Sequence, residues 1–99
     1  MASNELYQGG PDYATPPGAL LSDVLEQWNM TQLELANRLG LHKNTVNDIV
    51  RGIAPIVTET AINLERVLGV PASVWLEAEN IYRIRKKRLE ENMVQYKND

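Results

Sequence analysis

There is no cysteine among the 99 residues and only one histidine. The first absence removes a disulfide framework, a thiol nucleophile and a cysteine-ligated zinc site; the second leaves a histidine-rich metal site without ligands. No apolar run approaches the roughly 20 residues needed to cross a bilayer, and the N-terminus lacks the basic-then-apolar order of a secretory signal. A cytoplasmic location is therefore expected, with no membrane role. Catalytic patterns are missing as well: there is no glycine-rich phosphate loop, no HExxH and no plausible Ser/His/Asp set. Glu77 and Glu79 stand two positions apart and cannot share a helical face. No catalysis, cofactor or metal is expected.

Positive charge is scarce where the chain begins. From Met1 to Asn37 there are five carboxylates and no Lys or Arg, and the net charge of the whole is −3. Taken alone, that argues against a nucleic-acid partner, because phosphate contacts demand cations. The cations are segregated, however. Arg38, Lys43 and Arg51 stand against only Asp48 in the stretch Arg38 to Arg51, and Arg83, Arg85, Lys86, Lys87 and Arg88 form a second run. That second run reads equally as a solvated helical face, a further phosphate contact or a surface for an acidic partner. Anionic lipid is disfavoured, since the apolar stripe that would enter the membrane is ordinary.

What is present is helical periodicity in a single domain with one core. Residues 1–15 hold a Gly-Gly-Pro and no apolar period, so they read as a flexible arm, and 93–99 read as a flexible tail; the folded domain is expected over 16–92. Pro17 suits a first helical turn, and Leu20, Leu21, Val24, Leu25 and Trp28 follow at three- and four-residue steps. Asn29 ends that helix. Thr31 is a good cap for the next, with Glu34 completing a capping box, and this second helix runs to about Leu39. The third is capped by His42 or Asn44 and stops at Gly52. Thr58 is the expected cap of a fourth helix, whose stripe is Ala61, Ile62, Leu64, Val67 and Leu68, ending at Gly69. A fifth starts at Pro71 and carries Val74, Trp75, Ala78, Ile81 and Tyr82 on one side, to about Asn92. Both Trp28 and Trp75 sit in phase with apolar stripes and are expected in the core. Leu33 lies off the seam and is expected at the surface.

Within this pattern the segment Gln32 to Ile49, QLELANRLGLHKNTVNDI, has the spacing of two helices crossing over a tight turn. Ala36 is the small residue where the second helix approaches, Gly40 stops the first, and Leu35, Leu39, Val46 and Ile49 form the shared seam. A second helix so placed normally enters the DNA major groove. The reader would span 32–51. Lys43, Asn44, Asn47 and Asp48 then point outward, and each can address a base edge, at about 1–3 kcal/mol of discrimination per good contact. Gln32, Thr45 and Arg51 are placed for phosphate contacts that set register.

The stretches TPPGALLSDVLEQWNMTQLELANRLGLHKNTVNDIVRG and TETAINLERVLGVPASVWLEAENIYRIRK resemble the HigA family of antitoxins, a branch of the Xre phage-repressor-like group. The likeness covers about Pro16 to Lys86. Three marks narrow it beyond the helix-turn-helix: the PPG opening of helix one, the TETAINLERVLG helix, and the pair Trp75-Leu76. The resemblance implies an all-α, five-helix, lambda-repressor-like domain with a long C-terminal helix. It also implies a homodimer that binds double-stranded operator DNA in its own operon as a transcriptional repressor and neutralises a HigB/RelE-like toxin that cleaves messenger RNA. Gln32, Lys43, Asn44, Asn47 and Asp48 fall on the family's DNA-reading positions, and Trp75, Ile81 and Tyr82 would gain a dimer-interface role. A competing reading is a protein-interaction module, or the N-terminal part of a longer regulator, with little or no DNA binding. The net charge and the hydrophobic Ile53 after Gly52 favour it.

Overall fold

The computed structural model describes residues 16–98, with side chains to Asn92; the expected arm at 1–15 and Asp99 lie outside the described residues. Five helices follow one another: α1 (Pro17–Trp28), α2 (Gln32–Leu39), α3 (Lys43–Val50), α4 (Thr58–Leu68) and α5 (Ala72–Asn98). No strand occurs among the described residues. No helix among them is long and apolar enough to cross a membrane.

Local chemistry starts and stops these helices much as the sequence predicts. Asn29 closes α1 in the left-handed region at φ 55°. The box at α2 is reciprocal: the Glu34 amide donates to the Thr31 hydroxyl at 3.0 Å, and the Thr31 amide donates to Glu34 Oε1 at 2.8 Å. Gly40 then takes φ 71°, which places the Leu41 amide 2.9 Å from the carbonyl of Ala36 and turns the chain into α3. One cap differs from expectation. His42, one of the two expected positions, occupies the cap of α3, though without a side-chain cap bond, whereas Val57, not Thr58, occupies the cap of α4. Thr58 already belongs to the first turn of that helix. α5 also runs beyond Asn92, to Asn98.

Leu21, Leu35, Val46, Leu64 and Trp75 are wholly enclosed and draw residues from every helix into one core. Each such aliphatic side chain contributes about 1.5–3 kcal/mol relative to leaving it in water. Trp75 also satisfies its indole N–H on the carbonyl of Val70 at 3.1 Å. Gly18 explains the PPG opening in physical terms. A Cβ at that position would lie 2.1 Å from the Val50 carbonyl oxygen, so the α1 backbone rests directly on the end of α3.

Four residues expected inside are not. Trp28 is 56% exposed although it is in phase with Leu21, Val24 and Leu25, because α1 ends there and no other element among the described residues continues over it. Ile62, Val74 and Ile81 are also largely exposed. On α5 the buried register is Trp75, Glu79 and Tyr82, which turns Val74 and Ile81 toward solvent.

Candidate nucleic-acid interface

α2 and α3 meet along Leu35, Ala36, Val46 and Ile49, all buried, with Leu39 packed against them. The absence of side-chain bulk at Ala36 lets the helices approach, and burial of the seam fixes which side of α3 faces out. Lys43, Asn44 and Thr45 stand exposed at its start. The amides of Lys43 and Asn44 belong to the first turn, where helix geometry leaves backbone donors without intrahelical acceptors. Arg51, also exposed, closes the helix, its amide donating to Asn47 at 3.0 Å.

Asn47 and Gln32 are half-buried and joined. The Asn47 side-chain amide donates to Gln32 Oε1 at 3.2 Å, across helices otherwise held only by apolar contact. Gln32 keeps its own NH₂ as donor, and Asn47 keeps its carbonyl oxygen as acceptor and a second N–H. The pair thus forms one preoriented amide platform beside the exposed start of α3. Asp48 is half-buried, and its main-chain carbonyl accepts the amides of Ile53 at 2.8 Å and Ala54 at 3.1 Å, tying down the turn after α3. The structure thus gathers Gln32, Lys43, Asn44, Thr45 and Asn47 around one helix start. Asp48 lies about one turn beyond Asn44, and Arg51 about two turns beyond Lys43 at the far end of the helix.

The electrostatics of this face are mixed. Lys43 and Arg51 are its cations, while the Glu34 carboxylate caps α2 at the end where a phosphate would be received. The capping box stabilises the helix and opposes an anion at the same place.

A buried carboxylate behind the reader escapes sequence reasoning altogether. Glu79, 8% exposed, accepts the Ile56 amide at 2.9 Å with Oε1 and pairs with Arg83 through Oε2. It therefore bolts the loop between α3 and α4 to α5. The signal available was its place between Trp75 and Tyr82 at steps of four and three, which puts all three on one helix side. Arg83 lies over the Tyr82 ring at 4.9 Å and Lys86 at 5.8 Å, so two cations of the C-terminal run are gathered around one aromatic ring. Lys87 and Arg88 face solvent. Tyr82 and Pro16 crowd Gly52 so closely that a Cβ there would meet them at 3.0 and 2.9 Å. Of the residues expected at a dimer face, Trp75 is wholly enclosed and belongs to the core, Tyr82 is buried, and Ile81 is 44% exposed.

The sequence profile described as Helix-turn-helix matches residues 21–75. Among curated relatives, the HTH-type transcriptional regulator YddM of Escherichia coli is 26% identical over 68 residues, covering 69% of this chain and 72% of YddM. YbaQ, a second HTH-type regulator from Escherichia coli, is 32% identical over 62 residues; these cover 63% of this chain and 55% of YbaQ. Among solved structures, PA4674 of Pseudomonas aeruginosa, in complex with its 18-base-pair operator DNA, has a TM-score of 0.67. It is 32% identical, with 72% of this chain and 77% of that one covered. Antitoxin HigA of Pseudomonas aeruginosa, with the higBA promoter, gives a TM-score of 0.70 at 29% identity, covering 85% of this chain and 91% of that one.

Proposed function

We propose, from the premise that this chain belongs to the helix-turn-helix family, in its Xre-type branch, that it is a sequence-specific operator-binding repressor. It would act in the cytoplasm as the antitoxin of a HigB/RelE-like mRNA-cleaving toxin, autoregulate its own operon, and catalyse nothing itself. One observation carries the reading: the exposed Lys43, Asn44 and Thr45 stand beside the Gln32–Asn47 amide platform at the start of α3. The platform suits adenine or a phosphate, Lys43 suits guanine, and Arg51 suits a phosphate farther along the groove. Asp48, able to accept from the cytosine amino group, completes the set. The likeness to HigA with its promoter supports the assignment.

As a homodimer the chain would place two such helices in successive major grooves about 34–36 Å apart on a palindrome. Ile81 is the residue of the expected dimer face with side chain free to contribute.

The test is a gel shift with the DNA upstream of its own gene. Saturable binding that falls steeply with salt is expected, and Lys43→Ala with Asn44→Ala should remove sequence preference while leaving the helical content unchanged. Operator binding that persists unaltered in the double variant would show the reader to lie elsewhere.

The second reading, an interaction module that no longer reads DNA, draws on the acidic first third and on the exposed Ile53. Co-purification with a small basic protein, together with no specific retention of upstream DNA, selects it.

A further inference from the structure

α5 carries a second stripe on its outer side. Val74, Ile81 and Ile84 are 40%, 44% and 43% exposed. With Glu77, Arg88 and Glu91, exposed as well, they recur along the helix at steps of three, four, three, four and three. Helical geometry gathers these six into one seam, roughly opposite the buried Trp75, Glu79 and Tyr82. That spacing is what one helix presents to another in a coiled coil.

The order of residues along the seam decides what fits it. An antiparallel second copy, related by a two-fold axis between Tyr82 and Arg83, sets Ile81 against Ile84 of the copy and Ile84 against its Ile81. Glu77 then meets Arg88 of the copy at one end, and Arg88 meets its Glu77 at the other. Sliding the pairing by one heptad in either direction puts an isoleucine opposite a charge. A parallel pairing in register puts Glu77 against Glu77 and Arg88 against Arg88, which is repulsive. Among the described residues the one ion pair is Glu79 with Arg83, so Glu77 and Arg88 bring unengaged charges to the antiparallel arrangement. Charge that is mixed in sign and complementary to itself suits neither nucleic acid nor a partner of one sign. Packing of the opposite side already holds α5 helical through Tyr82, so pairing there orders side chains only.

We infer that the chain pairs with an antiparallel second copy through this seam, with two Ile81–Ile84 contacts at the centre and a Glu77–Arg88 ion pair on each side. The inference rests on the homodimer of the reading above. It moves the interface from Trp75 and Tyr82, which belong to the core, to Glu77, Ile84 and Arg88 beside Ile81.

The experiment is sedimentation equilibrium of the full chain, free and with operator DNA, with helical content followed by circular dichroism. A dimer is expected. Ile81→Glu with Ile84→Glu should weaken it at least about 100-fold, with helical content unchanged because both positions are exposed. Glu77→Arg alone and Arg88→Glu alone should each weaken it about 10-fold at low salt, since two ion pairs become two like-charge contacts. The two single variants mixed together should dimerise as the unaltered chain does. So should the chain carrying both exchanges, which a parallel pairing would leave no better than either single variant.

A dimer indifferent to the isoleucine substitutions overturns the seam and leaves the homodimer reading standing. Single charge variants as stable as the unaltered dimer, or a double exchange no better than the single ones, overturn the antiparallel register in the same way. A chain monomeric at every concentration up to about 1 mM overturns the seam; if one copy then saturates the operator, the homodimer reading falls with it. Binding of the purified product of the neighbouring basic reading frame to such a monomer, lost in Ile81→Glu with Ile84→Glu, gives the seam to that protein and also overturns the pairing.

Discussion

The reader and its support are held in opposite ways. Around the start of α3 the polar groups that matter are exposed or half-buried, and a single amide–amide hydrogen bond links Gln32 to Asn47. Behind it, a buried carboxylate on α5 holds the loop that leaves α3, and the α1 backbone rests on Val50 with no side chain between. The difference separates what can vary from what cannot. Exposed polar groups are already solvated, so exchanging them changes recognition more than stability. The groups behind them are committed, because removing one leaves a buried partner unsatisfied.

That contrast breaks most readily at Glu79. Glu79→Ala should lower stability by about 2–3 kcal/mol, since the Ile56 amide loses its acceptor and Arg83 its counter-charge; the cost is tempered because Arg83 is 34% exposed. Urea denaturation measures it. Glu79→Gln should recover part of the loss, because its carbonyl oxygen can still accept from Ile56. Gly18→Ala comes next. The added methyl meets the Val50 carbonyl, and about 1–3 kcal/mol of overpacking should appear as a lower melting temperature, with operator binding weakened as α1 pushes on the end of α3.

Within the reader the stability effects should be smaller. Asn47→Ala should cost about 0.5–1 kcal/mol in urea denaturation, for one partly exposed hydrogen bond, while sequence preference in a gel shift is lost. The smallest effect sharpens the comparison most. Glu34→Gln retains the capping geometry, since glutamine serves in that box, but removes a negative charge from the end of α2 where phosphate would arrive. Stability should move by a few tenths of a kcal/mol at most. Operator affinity at low salt should rise a few-fold, with the gain vanishing at high salt. An unchanged affinity at low salt would mean that the phosphate backbone does not approach this helix end.

The same division runs through what could be read from the chain. The capping box at Thr31 and Glu34, the left-handed Asn29 and Gly40, and the seam of Leu35, Ala36, Val46 and Ile49 were legible because each depends on residues near one another in sequence. Lys43, Asn44 and Thr45 were legible as outward-facing for that reason: once the seam is fixed, helical geometry fixes the other side. Trp28 misled because periodicity reports the phase of a helix and carries no information on where the neighbouring elements end. Thr58 misled by one position, since the chain turns into α4 already at Val57.

Sequence alone thus determined five helices, their order, and the polar face that α3 turns outward, since hydrogen-bonding and steric preferences of short peptides act locally. Tertiary structure decided the rest: that Glu79 lies inside and reaches Ile56, 23 residues earlier, and that Gln32 and Asn47, 15 residues apart, act as one group. It also decided that Gly18 is fixed by Val50 and that one tryptophan is enclosed while the other faces water. Those outcomes depend on which surfaces meet after the helices pack. A polar group's burial, or an aromatic ring's exposure, is a property of that meeting and of no segment by itself.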